Sequence, residues 1–366
     1  MKPPIRVLVV DDSAVMRKLI PQMLQKDEEI EVVGTAINGN FALRKIEELR
    51  PDVITLDLEM PGLNGIETLK QIMRTHKTPV VVVSSYSKGG ASITMKALAL
   101  GAVDFVAKPV DLQPISEVEQ ELIAKIKAAA TSQGVCAIPE NPVKVRKPAS
   151  FSNKPATRVI AIGISTGGPN TLQYLLSQLP ADFPGSIVIV QHMPGSFTKM
   201  FAQRLDDSCA LQVREAQSGD LLLAGRVLVC PGNQHVRLRQ MRLADVVSLS
   251  NDEKVNGHRP SVDVLFHSLA KDFGARAVAL IMTGMGDDGA EGMGAVRDAG
   301  GMTIAQSEES CVVYGMPRVA IQRGYAQRVV SLEALAHTLQ AICAPERGSS
   351  TGMPAVSGAS AGTTSG

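Results

Sequence analysis

The sequence contains no tryptophan, and aromatic residues make up only 3% of its 366 residues. The hydrophobic cores must therefore be built from aliphatic side chains such as Val, Ile, Leu, Ala and Met. An excess of charge of one sign is also missing, because 37 Lys and Arg residues against 36 Asp and Glu residues leave a formal net charge of +1. The basic residues gather into no stripe, so the electrostatic footprint of a nucleic-acid-binding protein is absent.

Cysteine is scarce, and its spacing forms no metal or disulfide pattern. The five cysteines are odd in number and include no Cys-x-x-Cys pair, which disfavours a disulfide framework and a zinc site. We interpret them as reduced and mostly buried thiols: Cys136, Cys209, Cys230, Cys311 and Cys343.

Long apolar runs are missing as well. The N-terminus, MKPPIRVLVVDD, closes a short apolar run with two acids, which fits neither a signal peptide nor a membrane span. We expect a soluble, cytoplasmic protein that does not insert into a membrane.

Two series of short β-branched runs alternating with helical patterns are what the sequence does contain. The first occupies residues 5 to about 125 and includes RVLVV and VVVV, which are continuously apolar, as buried parallel strands are. The second begins at Arg158 and includes VIAIGIS, IVIVQHM and AVALIM. We predict an α/β protein with two doubly wound parallel-sheet domains, a flavodoxin-like one followed by a Rossmann-like three-layer one.

Composition marks the boundaries of these domains. Residues 126–156 are rich in Pro, Ser, Lys and Asn without a sustained period, which predicts an interdomain linker. Residues 347–366 form a Gly, Ser and Ala-rich tail that cannot bury enough surface to fold. The predicted units are a first domain at 1–125, a linker at 126–156, a second domain at 157–346 and a disordered tail at 347–366.

Charged side chains stand where several strands of the first domain end. Asp11 and Asp12 end the first strand, Asp57 ends the third and Lys108 ends the fifth. Because ligands of a doubly wound sheet bind at the carboxyl ends of its strands, these groups should gather on one rim. Three carboxylates brought together need a cation, and hard oxygen ligands suit Mg²⁺. A carboxylate held there can act as a nucleophile toward a phosphoryl donor.

The segments VVDDS, LDLEMPGLNG, VSS and FVAKP resemble those of the response-regulator receiver domain, over residues 4–122. The resemblance implies that Asp57 is the phosphate acceptor and that Asp11, Asp12 and Asp57 bind the metal. It further implies a hydroxyl sensor, an aromatic switch residue and a phosphate-contacting lysine, which are Ser84, Phe105 and Lys108. Ser85 follows the same Val run and remains an alternative to Ser84.

The segment GISTG at residues 163–167 is a G-x-S-x-G turn between a predicted strand and a helix whose start is marked by Gly168 and Pro169. Glycines permit a sharp turn that exposes the hydroxyl of Ser165, and amides at a helix start favour developing negative charge. The same segment could form a phosphate-binding loop, but it lacks the Lys of a P-loop and does not match the G-x-G-x-x-G motif. We therefore interpret Ser165 as a nucleophile.

A serine nucleophile needs a base and a carboxylate that orients the base. His192 directly follows a strand, as Ser165 does, and is the preferred base, with His235 as the runner-up. Asp288 and its neighbour Asp287 lie just beyond the strand AVALIM, and spacing alone does not separate them. The chain order Ser, His, Asp differs from the Ser, Asp, His order of α/β-hydrolases.

The segments IGISTGGP, VIVQHMPGSFT, NGHRPSVDVLFHS, MTGMGDDGAEGM and CVVYGMP are similar to the catalytic domain of the CheB family of chemotaxis protein-glutamate methylesterases, over residues 157–345. The resemblance implies Ser165 as the nucleophile, His192 as the general base and acid, and Asp288 as the orienting carboxylate. It also implies that backbone amides near Thr166 and Met285 bind the oxyanion.

Two hypotheses about the roles of residues in the HRPSVD segment stay open. Arg259 contacts acidic groups of the substrate in one of them, and Ser261 caps a helix in the other.

The resemblance implies a phosphorylation-regulated enzyme that hydrolyses glutamyl methyl esters on chemoreceptors, releases methanol and deamidates receptor glutamines during chemotaxis adaptation. Hydrolysis needs no cofactor, whereas phosphorylation of Asp57 needs Mg²⁺. The implied partners are methylated chemoreceptors as substrate and a chemotaxis histidine kinase as phosphodonor, with recruitment to receptor clusters and without nucleic acid. The unmodified receiver is expected to cover the active site.

Two other classes of function compete with this one. A phosphorylation-dependent adaptor would use the second domain only for binding, and reactivity of Ser165 toward a serine-directed acylating probe separates it from an enzyme. A response-regulator transcription factor needs a basic recognition helix after the linker, where the sequence has GISTGGP and an α/β pattern instead.

Overall fold

The computed structural model describes residues 3–85, 87–109, 115–131, 147–148 and 151–344. Cys136, the predicted tail at 347–366 and most of the predicted linker lie outside these residues. The described residues form two α/β domains on parallel sheets, which confirms the predicted fold class. No helix in these ranges is long and apolar enough to cross a membrane.

The first domain is built on a five-stranded parallel sheet with the strand order β2-β1-β3-β4-β5. Its strands are β1 (Ile5–Val10), β2 (Ile30–Ala36), β3 (Val53–Asp57), β4 (Val80–Ser84) and β5 (Asp104–Ala107). Its helices are α1 (Ala14–Leu24), α2 (Gly39–Leu49), α3 (Gly65–Thr75), α4 (Lys88–Ala99) and α5 (Ile115–Thr131). The strand order is that of the flavodoxin-like fold, which binds its ligands at the carboxyl edge of the sheet.

Local sequence explains where these helices begin. The residue before each of four helices accepts a hydrogen bond on its side chain from an amide of the first turn, and these capping residues are Ser13, Asn38, Asn64 and Ser87. Helix α5 ends at Thr131, although the sequence pattern suggested a linker from residue 126. The helix continues because Ile126 and Ala129 are buried against the domain core.

The second domain is built on a seven-stranded parallel sheet with the order β14-β13-β12-β6-β7-β9-β8. Its strands are β6 (Val159–Ile164), β7 (Ser186–Gln191), β8 (Gln212–Glu215), β9 (Arg226–Val229), β12 (Ala277–Ile281), β13 (Met302–Gln306) and β14 (Arg328–Val330), and an antiparallel hairpin adds β10 (His235–Gln240) and β11 (Asp245–Ser250). Its helices are α6 (Gly168–Ser177), α7 (Gly195–Ser208), α8 (Val262–Phe273), α9 (Ala290–Asp298), α10 (Met316–Gln322) and α11 (Leu332–Cys343).

Strand β6 lies at the point where the direction of winding reverses. The chain proceeds from β6 to β7 on one side and later returns to β12 on the other side of β6. Ligands of open α/β sheets bind in the crevice at the carboxyl ends of such strands. The topology therefore places the segments that follow β6, β7 and β12 around one crevice.

The two domains pack against each other through apolar side chains. The ring centroids of Phe105 in β5 and Phe197 in α7 are 4.5 Å apart. One hydrophobic cluster contains buried residues of both sheets. At the edge of this interface, the guanidinium of Arg204 in α7 donates a hydrogen bond to the carbonyl oxygen of Met95 in α4 at 3.1 Å. The interface thus joins α4 and β5 of the first domain to α7 of the second.

Candidate active site

Ser165 and His192 follow paired residues on neighbouring strands. Ile164 and Gln191 are the last pair in the β6–β7 ladder, and adjacent strands lie about 4.8 Å apart. The amide of His192 donates to the carbonyl oxygen of Ile164 at 3.2 Å. The side-chain amide of Gln191 donates to the carbonyl oxygens of Ser165 at 2.9 Å and His192 at 3.2 Å. These bonds hold the two candidate catalytic residues side by side.

The loop after β12 approaches the Ser165 turn closely because it carries a glycine. A Cβ atom on Gly284 would lie 2.8 Å from the Cβ atom of Ser165 and 2.4 Å from the sulfur of Met316. The amide of Ser165 donates to the carbonyl oxygen of Thr283 at 3.0 Å. Gly167, at the start of α6, has a φ of +75°, which favours glycine. The turn that carries Ser165 and the loop after β12 are therefore in direct contact.

His192 contacts one acid of the predicted pair. Its Nε2 atom lies 2.9 Å from Oδ2 of Asp288. Since an ionised carboxylate only accepts hydrogen bonds, Nε2 carries the proton and donates it. Nδ1 is then the basic nitrogen, and it is buried without a hydrogen-bond partner among the described residues. The ring is oriented by its acid and keeps one nitrogen free to accept a proton.

The carboxylate of Asp288 lies at the start of α8 and is 1% exposed. It accepts hydrogen bonds from the hydroxyl of Ser261 at 2.7 Å, from the amide of Val262 at 2.7 Å and from the amide of Asp263 at 3.2 Å. Burial would raise the pKa of Asp288, but the bonds from His192, Val262 and Ser261 outweigh it and lower the pKa to about 2. The positive end of the helix dipole also favours an anion there. Asp288 is therefore ionised at neutral pH.

Its neighbour Asp287 lies in a different environment. The carboxylate of Asp287 is 58% exposed, and Oδ2 is 3.7 Å from the guanidinium of Arg323. Spacing left Asp287 and Asp288 as equal candidates, and the structure brings only Asp288 to His192 within the described residues.

His235, the runner-up base, is fully buried and uses both ring nitrogens in the protein framework. Nδ1 accepts a hydrogen bond from the amide of Ser261 at 3.2 Å. Nε2 then carries the proton and donates to the carbonyl oxygen of Glu253 at 2.9 Å. Neither nitrogen is left to accept a proton from Ser165.

Arg259 and Ser261 have structural partners that the sequence did not indicate. The guanidinium of Arg259 donates to the carbonyl oxygens of residues 251 and 252, both at 3.0 Å. The hydroxyl of Ser261 stands at the start of α8 but donates to Asp288 and makes no capping bond to the helix. Arg259 braces the loop before α8, and Ser261 supports the carboxylate of Asp288.

The two candidate oxyanion donors lie on the two loops that meet at Ser165. Thr166 is 4% exposed, and its carbonyl oxygen accepts a hydrogen bond from the hydroxyl of Thr283 at 3.0 Å. Met285 directly follows Gly284, and its side chain is 48% exposed. The oxyanion role of their amides stays a prediction.

In the first domain, the predicted acids and the lysine meet at the carboxyl edge of the sheet. Asp11 and Asp57 are buried and Asp12 is exposed, and candidate ligand atoms of the three lie within 4.8 Å of one another. Nζ of Lys108 lies 2.8 Å from Asp57 and 3.0 Å from Asp11. Burial raises the pKa of Asp11 above its ordinary value, despite the opposing effect of Lys108. Burial would lower the pKa of Lys108, but the two carboxylates raise it.

The remaining receiver positions are buried. The hydroxyl of Thr94 donates to Oγ of Ser84 at 2.6 Å, and Ser84 donates to the carbonyl oxygen of Gly90 at 3.3 Å. The alternative, Ser85, donates to the carboxylate of Glu59 at 2.6 Å. Phe105 is 3% exposed. Its ring is thus packed inward, against the second domain.

Comparison with known proteins assigns both domains. The family model described as CheB methylesterase matches residues 160–339, and the response regulator receiver domain model matches residues 7–119. A protein-glutamate methylesterase/protein-glutamine glutaminase 2 of Koribacter versatilis is 58% identical over 357 residues, which cover 95% of this chain and 98% of that protein. The chain belongs to the CheB methylesterase family.

Further similarities agree with this family assignment. A protein-glutamate methylesterase/protein-glutamine glutaminase of Symbiobacterium thermophilum is 46% identical and covers 92% of this chain and 96% of its own length. The crystal structure of the CheB methylesterase catalytic domain of Thermotoga maritima is 38% identical, with a TM-score of 0.50, and covers 51% of this chain and 99% of that domain. The CheB family resemblance of the sequence motifs is thereby confirmed.

One contact between the receiver and the CheB catalytic domain was not foreseen from the sequence. Oδ2 of Asp104 in β5 accepts a hydrogen bond from the amide of Gly167 at 3.3 Å, two residues after Ser165. Nζ of Lys125 lies 3.4 Å from the same carboxylate. A charged residue at the start of an otherwise apolar strand, DFVA, was the signal that could have identified Asp104.

The loop before α8 holds further residues that sequence reasoning missed. The side-chain amide of Asn256 donates to Asp263 at 2.6 Å and to Asp288 at 3.3 Å. Lys254 pairs with Glu117 of the receiver at 3.1 Å. The segment NGHRPSVD was singled out, but nothing in its spacing indicated which side chains turn toward Asp288.

Proposed function

We propose that this member of the CheB family is a protein-glutamate methylesterase and protein-glutamine glutaminase that works through Ser165, His192 and Asp288. The observation that carries the proposal is the 2.9 Å contact between His192 and a buried, ionised Asp288, directly beside the GISTG turn. A hydroxyl, an imidazole and a carboxylate are the three groups that acyl-transfer hydrolases combine in a catalytic triad.

In the first half of the reaction, Nδ1 of His192 takes the proton from Oγ of Ser165, and Oγ attacks the γ-carbonyl carbon of a glutamyl methyl ester. Asp288 stabilises the imidazolium that forms. The tetrahedral intermediate collapses, the ester bond to the methoxy oxygen breaks, and methanol leaves with the proton from His192. The product is an acyl-enzyme on Ser165.

In the second half, His192 takes a proton from water, which attacks the acyl carbon. The bond to Oγ breaks, Ser165 regains its proton from His192, and glutamate is released. A glutamine side chain reacts in the same way with ammonia as the leaving group. Hydrolysis by these steps uses no cofactor.

The amides of Thr166 and Met285 are proposed to stabilise the oxyanion of both tetrahedral intermediates. Support comes from the close approach of the two loops, since Gly284 leaves no room for a side chain beside Ser165. Donors fixed in place before the reaction stabilise developing charge without reorganisation.

The acids of the receiver have the chemistry that Mg²⁺ requires. Asp11, Asp12 and Asp57 offer hard oxygen atoms within 4.8 Å of one another, and Lys108 pairs with Asp57 and Asp11. Bound Mg²⁺ would neutralise charge on the phosphoryl group transferred to Asp57. Lys108 is proposed to release Asp57 and contact the phosphoryl group, and Ser84 and Phe105 are proposed to respond to it.

Phosphorylation is proposed to control access to the triad. In support, the receiver strand β5 borders the nucleophile turn through Asp104 and Gly167. Modification of Asp57 would shift a packing equilibrium toward a form in which this contact is released. The proposed phosphodonor is a chemotaxis histidine kinase, and the proposed substrates are methylated chemoreceptors that the enzyme reaches from the cytoplasm.

The test is release of methanol from methylated receptor by the purified full-length chain, with and without a small phosphodonor and Mg²⁺. We expect the phosphodonor to stimulate release by the wild type, no stimulation of Asp57→Asn, and loss of release by Ser165→Ala. Ser165 should also react with a serine-directed acylating probe, as no simple adaptor would. Undiminished release by Ser165→Ala would refute the assignment of the nucleophile.

A further inference from the structure

A second imidazole lies flat against the ring of His192. The ring centroids of His192 and His258 are 3.8 Å apart, and the two planes differ by only 5°. One hydrogen bond, from Nε2 to Asp288, holds the His192 ring among the described residues. Rotation about the Cβ–Cγ bond tilts the plane of the ring, and this one bond restrains the tilt only weakly. A flat neighbour at van der Waals distance restrains this rotation, because any turn of the ring would bring it into collision.

The backbone around His258 is itself held in place. The backbones of His258 and Val255 exchange two hydrogen bonds, of 2.9 and 3.0 Å. The adjacent Arg259 is bonded to the carbonyl oxygens of residues 251 and 252. Asn256 of the same loop donates to Asp288. One braced loop thus supports the carboxylate and supplies the ring that lies on His192.

The electrostatic state of His258 suits this location. Burial, with a further contribution from His192, lowers the pKa of His258 to about 4. His258 is therefore neutral at neutral pH and does not repel the positive charge that His192 acquires when it takes a proton from Ser165. The face of an uncharged aromatic ring also attracts a cation.

We propose that His258 is a positioning residue, whose flat ring holds the imidazole of His192 in the plane that joins Asp288 to Ser165. It acts through His192 and transfers no proton. This inference rests on the proposed hydrolase function.

The experiment compares His258→Ala, His258→Phe and His258→Asn in the full-length chain, with a phosphodonor present so that all variants are assayed in the activated state. Loss of the ring in His258→Ala should lower kcat for methanol release by about 10-fold to 100-fold, the cost of a misplaced catalytic group, with KM within about twofold of the wild type. His258→Phe keeps a flat, uncharged ring and should recover most of kcat. His258→Asn, which is polar but has no ring, should not.

Controls separate the ways in which the experiment can fail. His337→Ala, which removes an exposed imidazole on α11, should retain wild-type kinetics. Ser165→Ala tests the proposed function independently, because full activity of that variant would overturn the function itself. Wild-type kcat in His258→Ala, or equal kcat in His258→Phe and His258→Asn, would overturn the role of His258 and leave the function standing. If His258→Ala does not fold, the comparison of Phe with Asn decides.

Discussion

Replacing Asp288 with asparagine should disable the triad and weaken the start of α8 together, whereas Asp287→Asn should do neither. Asp288 accepts a hydrogen bond from His192 and also bonds Ser261, Val262 and Asp263. Asparagine keeps the size of the side chain but removes its charge and turns one oxygen into a donor. That donor would face N–H or O–H groups that now point at a carboxylate.

The loss of stability follows from the pKa. The pKa of Asp288 is lowered from 3.8 to about 2, so the folded protein stabilises the ionised carboxylate by about 2 kcal/mol. A mispaired buried amide costs a further 1–3 kcal/mol or so, which brings the total to about 3–5 kcal/mol. For Asp287, the partner at 3.7 Å is exposed, and such pairs contribute at most about 1 kcal/mol.

The loss of activity has a separate cause. Asparagine cannot hold the protonated Nε2 in place as an anion does, nor stabilise the imidazolium, and the corresponding change in serine proteases lowers kcat by about 10⁴-fold. We expect a decrease of about 10³-fold to 10⁴-fold for Asp288→Asn at neutral pH.

Methanol release and denaturant unfolding of both variants measure the two effects. The receiver serves as an internal control, because Asp57 should still accept a phosphoryl group in both proteins. The reasoning is refuted if Asp288→Asn stays within about tenfold of wild-type kcat, or if Asp287→Asn proves the more damaging change.

Three further perturbations test other parts of the structure. Since burial lowers the pKa of His258 from 6.5 to about 4, its contribution to stability is fully present above pH 6.5 and is lost as the pH falls toward 4. Denaturant unfolding should show that the wild type loses up to about 3 kcal/mol more than His258→Phe over this range. Equal losses in the two proteins would contradict the lowered pKa. Arg204→Ala removes the hydrogen bond to the carbonyl oxygen of Met95 and so weakens the contact between the two domains. Methanol release without phosphodonor should rise by about 3-fold to 10-fold, with little change in the stimulated rate. An unchanged basal rate would contradict a role of this contact in holding the domains together. Chelation of Mg²⁺ should abolish phosphorylation of Asp57, measured by mass spectrometry, and Asp12→Asn should raise the Mg²⁺ concentration that phosphorylation requires. Normal phosphorylation in the presence of a chelator would refute a metal-binding role for the acids.

Much of the receiver site could be predicted because its residues lie at the ends of strands. Asp11, Asp57 and Lys108 each follow an apolar run, and parallel strands bring their carboxyl ends to one edge. The same logic brought Ser165 and His192 together, since β6 and β7 are neighbours in the sheet.

Neighbouring candidates could not be separated by that logic. Asp287 and Asp288 are adjacent in one loop, and the backbone conformation of that loop decides which of the two carboxylates faces His192. His235 and His192 both lie close to strand ends, but β10 belongs to the hairpin rather than to the main sheet. The alternation of HVRLRQ was the available sign of that hairpin.

The sequence by itself determined the class of both sheets and predicted the receiver acids and the turn that carries Ser165, because periodicity and glycine placement are local and a parallel sheet brings strand ends to one edge. Only the tertiary structure decided that Asp288 is the acid bonded to His192, that His258 stacks on His192 and that Asp104 bonds the amide of Gly167. These contacts join residues far apart in the chain, and their energies depend on packing and burial that no single segment contains.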